Sequence, residues 1–527
     1  MTNTNAEFAD SDAFLIIGSN TSETHPVIGY RVRKAVRKGA KLVVADPRRI
    51  PLVDIADVHL QFKPGTDVAL LNGLLNVILK EGLEDKGYIE SRTEGFAEMR
   101  KTVEQYTPEY VEKITGVPAE DLIKAARLFG AAGNAATLYC MGVTQQTSGT
   151  DNVLALANLS LATGNIGKPY AGLNPLRGQN NVQGACDMGA LPVVFPGYQP
   201  IASDEVRAKF SKAWGVELSG KAGLTMTEIF DAALDKQIRA LYVMGENPLL
   251  TEPNVNHTRE SMEALDFMVV QDIFLTETAQ LADVILPAAS FAEKDGTFVN
   301  TERRVQRVRR AVRPRGNSKP DWEICQLLAN KLGFNWKYTS AAEIFAEISS
   351  LTPSYGGISY ERLEAGGLQW PCPTSDHPGT PILHVGQFAR GLGRFSAVEY
   401  RPAAEDMDDD FPFLLTTGRS LYQYHTGTMT GKSEGLNRFH REELMEINPA
   451  DAARLGIRQD DIVQVVSRRG AVRSKVNITE NIGKGILFMT FHFAETAANL
   501  LTNPQLCPSA KTPELKVCAV RVEKAGR

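Results

Sequence analysis

Phe14-Leu15-Ile16-Ile17-Gly18-Ser19-Asn20-Thr21-Ser22-Glu23-Thr24-His25-Pro26 decides the fold. An apolar run breaks into a glycine-led polar loop. Val27–Lys38 then carries apolar residues at helical spacing with a basic face, stopped by Gly39. Leu42–Ala45 is a second apolar run, and it ends in Asp46. Strand, polar loop, helix, strand and acid make a βαβ unit of about thirty residues. Ile55-Ala56-Asp57-Val58-His59-Leu60 follows, and Gly65-Thr66-Asp67 is placed to cap an amphipathic helix from Val68 to about Lys80.

The same order returns far along the chain. Ala240–Met244 runs into Gly245-Glu246-Asn247-Pro248, and Met268–Val270 leads to Gln271-Asp272. Leu281-Ala282-Asp283-Val284-Ile285-Leu286 then matches the earlier Ile-Ala-Asp-Val-His-Leu. Gly18 to Asp46 is 28 positions and Gly245 to Asp272 is 27, while each acid precedes its Ala-Asp-Val alanine by 10. Such agreement marks a duplicated scaffold, which need not keep a duplicated function. At a strand's C-terminal end, a polar loop meets a helix N-terminus whose free N–H groups attract phosphate. A carboxylate closing the next strand accepts hydrogen bonds from ribose hydroxyls or a guanine edge. Neither copy has GxGxxG, so ordinary NAD or FAD binding is not indicated. Two copies point to two nucleotide-like ligands, or to one ligand with two such halves. The plainer reading makes Asp46 and Asp272 strand-end turn formers.

Bulk properties narrow the field. At 527 residues the chain needs several packed units. Net charge is −5 and the isoelectric point about 6.0, which argues against nucleic acid or an anionic membrane as partner. The basic cluster Arg303, Arg304, Arg307, Arg309 and Arg310 is available to phosphates, although such runs are usually solvated faces. No apolar stretch is long enough to span a bilayer and no export signal is visible, so a cytoplasmic setting is expected. The six cysteines show no CxxC pair and no spacing suited to zinc or an iron–sulfur cluster. No metal ligand is assigned. Cys140 and Cys186 read as small buried thiols.

Residues 177–189, Arg-Gly-Gln-Asn-Asn-Val-Gln-Gly-Ala-Cys-Asp-Met-Gly, combine one fixed cation with four carboxamides and three glycines. Buried amides need partners for every donor and acceptor, so this density fits a large polar ligand lying against the backbone. A polar loop bonded to itself is the alternative. Arg177 presents a planar fork to a carboxylate or phosphate. In the C-terminal third, acidic 401–412 reads as a boundary, and Phe413–Thr416 as a strand leading into Thr417-Gly418-Arg419. Asn448-Pro449 opens a short helix ended by Gly456. Ile462–Val466, Ala471–Ile478 and Gly485–Thr490 are β-rich, which predicts a compact barrel.

Together these elements resemble the large subunit of molybdopterin-dependent formate dehydrogenases, within the dimethyl sulfoxide reductase family. The resemblance runs from about residue 10 to the end. It is carried by Arg-Thr-Glu-Gly-Phe (92–96), Gly-Val-Thr-Gln (142–145), Thr-Gly-Asn-Ile-Gly-Lys-Pro (163–169), residues 174–189, Val-Gln-Asp-Ile-Phe (270–274), Ala-Asp-Val-Ile-Leu-Pro (282–287) and Gly-Thr-Phe-Val-Asn-Thr-Glu-Arg-Arg (296–304). It implies an α/β fold with doubly wound nucleotide-binding domains in pseudo-duplicate and a C-terminal barrel of double-psi type. The domains would be 1–178, 179–290, a helical or mixed connection at 291–400, and the barrel at 401–527. It also implies two molybdopterin guanine dinucleotides chelating one molybdenum or tungsten through four dithiolene sulfurs. By similarity, Gly18, Asn20, Glu23, Asp46, Arg48, Gly65 and Asp67 would hold one dinucleotide arm. Gly245, Glu246, Asn247, Gln271, Asp272 and Ser290 would hold the other. Gly142, Gln145, Gly178 and Gln179 would lie near the pterins, and Thr417, Gly418, Arg419, His425, Asn499 and Lys516 would close from the barrel. Arg177 would orient formate as it is oxidised to carbon dioxide, with an NAD-, ferredoxin- or hydrogenase-linked subunit taking the electrons.

The chain departs from the family in two places. It lacks the Cys-rich segment that binds a [4Fe–4S] cluster, and it lacks the Cys or selenocysteine followed by His. His25 matches a scaffold histidine rather than that pair. The reading favoured is a natural protein that continues upstream of Met1, with an in-frame UGA read as stop. A split subunit completed by a partner is the other. Residues 1–527 alone are then expected to be inactive. The non-catalytic alternative is a pterin-binding or scaffold subunit of a redox complex.

Overall fold

The computed structural model describes residues 1–525; positions 526 and 527 of the expected barrel range lie outside the described residues. Two compact units emerge, Met1–Gly178 with Leu250–Val255 and Ile382–Arg527, and Gln179–Leu249 with Asn256–Pro381.

The first unit is built on a five-stranded, all-parallel sheet. Its order is Val58–Leu60, Lys41–Ala45, Ala13–Ile17, Ala135–Tyr139, Gly172–Pro175. Parallel strands are buried on both faces, which is why they read as unbroken apolar runs. Ala13–Ile17 shows the period of two directly. Ala13, Leu15 and Ile17 join the core under helix Asp67–Lys80, while Phe14 and Ile16 join the core under helix Pro26–Arg37. Winding reverses between Ala13–Ile17 and Ala135–Tyr139, so the loops after these strands part and leave a crevice, the usual ligand position in such sheets.

Helix Asp67–Lys80 starts one residue earlier than its spacing predicts, and Thr66 does not cap it through its side chain. The Thr66 hydroxyl donates back to the Lys63 carbonyl instead, at 2.6 Å. Asp67 thereby occupies the first helical position and is buried. Asn448 does cap helix Pro449–Leu455, accepting from the Ala450 N–H at 3.0 Å, with Gly456 left-handed at its end.

The C-terminal part of this unit is a closed six-stranded barrel. Its order is Phe413–Gly418, Ile486–Thr490, Leu444–Ile447, Ala471–Ile478, Ile462–Val466, Cys518–Lys524. Alternate residues such as Phe413, Leu415, Val463, Val465, Leu487 and Met489 fill its interior.

The second unit contains a three-stranded parallel sheet ordered Val284–Pro287, Phe267–Asp272, Ala240–Met244. This repeats the Val58–Leu60, Lys41–Ala45, Ala13–Ile17 order, and the details agree. Gly18 N–H donates to the Ala45 carbonyl at 3.1 Å and Gly245 N–H to the Gln271 carbonyl at 2.9 Å. Both glycines have positive φ, +55° and +63°. The Ala-Asp-Val aspartates also match: Asp57 accepts from Leu42 N–H at 2.9 Å and Asp283 from Met268 N–H at 2.7 Å. That repeated aspartate therefore clamps the entry of the neighbouring strand, a structural task in both copies.

A second, antiparallel sheet in this unit joins Gly296–Val299, Arg304–Val308 and Leu368–Gln369. Four of the five arginines of the basic cluster here are committed to protein partners. Arg303 is buried and donates to the carbonyls of Trp370, Thr380 and Pro381. Arg304 pairs with Glu302, while Arg307 and Arg309 share Glu364.

Candidate functional site

The crevice of the first unit opens at the switch point. Gly18 ends its strand, and Gly142 lies in the short helix Met141–Thr144 after the neighbouring strand. Gly142 N–H donates to the Gly18 carbonyl at 3.1 Å. A Cβ on Gly142 would fall 2.5 Å from Gly18 Cα, and one on Gly18 would fall 2.8 Å from Val143 N. Only glycine tolerates that approach.

About 860 Å³ of empty space lies here. Of the residues singled out by sequence, Gly18, Asn20, Asp46, Arg48, Asp67, Gly142, Thr417, Gly418, Arg419 and Lys516 all line it. Burial shapes their charges. It pushes the Asp46 carboxyl up to about 6 and Asp67 up to about 7, and pushes Lys516 down to about 8. The Arg419 guanidinium is lowered for the same reason. Asp46 accepts from Arg48 N–H at 3.0 Å, and Lys516 Nζ donates to the Thr417 carbonyl at 2.8 Å. Arg48 is held by Glu446 at 2.8 and 3.0 Å, and its guanidinium lies 3.5 Å from the Phe488 ring centroid.

Several polar atoms in this crevice are buried with no partner among the described residues: Asn20 Oδ1, Asp67 Oδ1, Gln146 Oε1 and Arg419 Nη2. Buried polar groups are normally satisfied, so a set of orphans around one space marks a place for a ligand. The set is three acceptors and a cationic donor, beside a second cation at Lys516. A phosphate-bearing heterocycle with N–H edges matches those needs, and a molybdopterin dinucleotide is such a molecule.

Other predicted residues lie elsewhere in the first unit. Arg177 is not among the crevice-lining residues, but its carbonyl meets His25 Nε2 at 2.6 Å. A carbonyl cannot donate, so His25 carries its proton on Nε2 and accepts from Thr24 Oγ1 at Nδ1, 2.8 Å away. The next residue, Gly178, backs onto Arg419: a Cβ there would meet Arg419 Nη2 at 2.6 Å. Glu23 is raised by burial. Gly65, at φ +85°, packs toward Ala403 and Val517. The Asn499 amide donates to the Leu250 and Thr251 carbonyls at 2.9 and 3.0 Å. The His425 carbonyl accepts from His492 Nδ1, and burial drives the His425 imidazole down to about 3. The amide that faces the crevice is Gln146, bonded to Asp67 at 2.9 Å, whereas the Gln145 carbonyl serves Leu515. Sequence reasoning also missed Phe488, Phe491 and Cys140 in the lining. Cys140 is half-buried, its thiol donating to Leu176 O at 3.1 Å.

In the second unit, Gly245, Glu246 and Asn247 follow the Ala240–Met244 strand, and Gln271 and Asp272 close the next. Asn247 accepts from the Thr278 hydroxyl at 2.7 Å, and Gln271 donates to Asp321 at 2.8 Å. Asp272 accepts from the Ile273 and Phe274 N–H groups, and burial raises its carboxyl. Ser290 forms a capping box with Glu293. The polar run 177–189 divides: Gln179 opens this unit, Val182–Asp187 is helical, and two of its four amides, Asn181 and Gln183, are bonded within the protein. Asp187 is fully buried and accepts from Gln183, Tyr198, Tyr355 and Trp370 at 2.5–2.9 Å. Asn181 accepts from Val299 N–H at 2.9 Å. Asn181, Gln183 and Asp187, read as part of a ligand-facing run, therefore serve the core. Cys186 is half-buried.

The crevice has a pH signature. A carboxyl whose folded pKa is raised holds its proton longer when folded, so its favourable contribution fades as pH climbs from the unfolded value to the folded one. In protein stripped of small molecules, denaturant midpoints should fall between about pH 4 and pH 7. Asp67→Asn should flatten that fall by an amount on the order of 2 kcal/mol across the window. An unchanged slope would remove Asp67 as its source.

The comparisons agree with this geometry. The molybdopterin oxidoreductase model matches residues 1–331, and the molydopterin dinucleotide binding domain matches residues 413–519. The chain belongs to the molybdopterin oxidoreductase family, whose cofactor is a molybdopterin dinucleotide. It is 52% identical to the F420-dependent formate dehydrogenase subunit alpha of Methanocaldococcus jannaschii, over 99% of this chain and 78% of that protein. It is 43% identical to formate dehydrogenase H of Escherichia coli, over 99% of the chain and 74% of that protein. Among solved structures, acetylene hydratase from Pelobacter acetylenicus has the same fold, with a TM-score of 0.78 at 20% identity, covering 98% of this chain and 78% of that one.

Proposed function

We propose that this chain is the catalytic part of a formate dehydrogenase, converting formate reversibly to carbon dioxide, one proton and two electrons. The observation that carries the reading is identity of 48–52% over nearly the whole chain to three alpha subunits that bear that name. When bound, a molybdenum or tungsten centre on two guanine-dinucleotide pterins supplies the two-electron acceptor. In the first unit, Asp46, Asp67 and Gln146 offer acceptors to a guanine or ribose edge, and Arg419 and Lys516 offer cations to phosphate. Gly245, Asn247, Gln271, Asp272 and Ser290 are the corresponding group in the second unit. Arg177 grips the formate carboxylate with two parallel N–H donors, and His25 fixes the backbone from which that side chain projects. The two electrons would leave to a carrier subunit, for which a [4Fe–4S] cluster would supply the one-electron relay. The names of the methanogen relatives make an F420-linked partner the first to test, ahead of NAD-, ferredoxin- or hydrogenase-linked ones. A cytoplasmic setting fits this reading, and among the described residues no helix is long and apolar enough to cross a membrane.

The test is formate-dependent dye reduction by the chain joined to its iron–sulfur-bearing polypeptide, with metal and pterin measured on the same sample. Cofactor-loaded protein that never reduces dye with formate would be a scaffold subunit.

A further inference from the structure

Helix Pro26–Arg37 and its exit hold a charge pattern that the crevice does not use. Residues 26–41 carry six cations, Arg31, Arg33, Lys34, Arg37, Lys38 and Lys41, and no carboxylate, in a chain of net charge −5. Arg33 donates to the Ser22 hydroxyl and the Pro51 carbonyl, Lys38 pairs with Asp10, and Lys41 pairs with Asp57. Arg31, Lys34 and Arg37 form no ion pair among the described residues, and Lys34 and Arg37 are exposed. Val27 and Tyr30, a turn apart, are both 65% exposed. Helix residues three and four apart share a face, so Val27, Tyr30, Lys34 and Arg37 make one stripe, apolar at one end and basic at the other.

The other side of the same sheet has the reverse sign. Residues 104–121 carry five carboxylates, Glu104, Glu109, Glu112, Glu120 and Asp121, against the single cation Lys113. Glu109, Tyr110 and Glu112 project from helix Pro108–Thr115, where Tyr110 is 43% exposed. Val111 of that helix joins the core that holds Ala13, Leu15 and Ile17, whereas Ile28 and Val32 of Pro26–Arg37 join the core that holds Phe14 and Ile16. Alternate residues of a strand point to opposite faces, so the two charged surfaces lie on opposite sides of one sheet.

We infer that these two surfaces join copies of this chain head to tail, the Val27–Arg37 stripe of one copy against the Glu109–Glu112 face of the next. A basic face alone would suit any polyanion; a basic and an acidic face on one molecule complement a second copy. An exposed tyrosine on each side gives the contact an apolar anchor. Because two different surfaces meet, the contact is heterologous and growth does not stop at a pair. The inference does not depend on formate chemistry.

The test is sedimentation velocity on the whole chain. At about 0.01 M ionic strength, where charges are felt over roughly 30 Å, the weight-average mass should at least double as chain concentration rises, with species beyond the dimer. At about 1 M, where that reach shrinks to roughly 3 Å, the mass should return to that of the monomer. Lys34→Glu with Arg37→Glu should abolish association, and so should Glu109→Lys with Glu112→Lys. An equal mixture of these two variants should restore it, because the reversed faces attract each other again. All four side chains are exposed, so the fold should survive, and a misfolded variant would not be rescued by mixing. A parent chain that stays monomeric at low salt would overturn the inference, as would growth that ends at a dimer. Variants that still assemble singly, or a mixture that stays monomeric, would overturn it too. Binding of the parent chain to phosphatidylglycerol vesicles in place of self-association would likewise overturn it and make the basic face a membrane site.

Discussion

Arg177→Lys is expected to lower kcat/KM for formate by a factor on the order of a hundred or more while metal and pterin content stay unchanged. Lysine keeps the charge but loses the planar pair of donors that fixes both carboxylate oxygens at once. The loss should appear mainly in kcat, with KM little changed, because a point charge still attracts formate but leaves it free to rotate. Arg177 shares its segment with Gly178, which abuts Arg419, and its carbonyl is pinned by His25, so the backbone geometry should survive the exchange. Steady-state rates with formate, set against metal analysis of the same preparations, decide this. A lysine variant within threefold of the parent would remove Arg177 from substrate binding.

Gly142→Ala should be nearly as damaging by a different route. The new methyl carbon would sit 2.5 Å from Gly18 Cα and 2.6 Å from the Gly18 carbonyl oxygen. Neither contact is the yielding end of a flexible side chain, so the two strand ends must separate. Overpacking of this kind costs about 1–3 kcal/mol. Because the affected backbone forms the floor of the crevice, bound pterin should fall by at least tenfold in the same variant. Thermal unfolding and fluorescence of the released, oxidised pterin measure the two effects. Normal stability with full pterin content would show that the glycine pair is not the tight junction described.

The duplicated sheet was legible because spacing along a βαβ unit is set by strand length and helix geometry. Gly18, Asp46, Gly245 and Asp272 fall where the strands end, and the matched Asp57 and Asp283 clamps follow the same register. The barrel was legible from its alternating runs. What escaped the sequence depended on contacts between distant residues. Gln145 and Gln146 are adjacent in sequence just past the end of helix Met141–Thr144, and it is the second whose side chain meets Asp67. Phe488 lies on an apolar strand that reads as core, although the Arg48 guanidinium stacks on it at the crevice. Gln183 looked like a ligand contact because its acceptor Asp187 is held in the core by Tyr355 and Trp370, which lie far downstream. The arginines of 303–309 looked available for the same reason, with Glu364 and the Trp370 carbonyl out of view.

The proposed pair of pterin dinucleotides, one for each copy of the Gly-to-Asp repeat, can be counted chemically. Protein isolated from cells that make the cofactor is hydrolysed in acid, and the guanosine monophosphate released is measured against molybdenum or tungsten. Two nucleotides per metal atom and per chain are predicted. One nucleotide per chain, or none, would contradict the account.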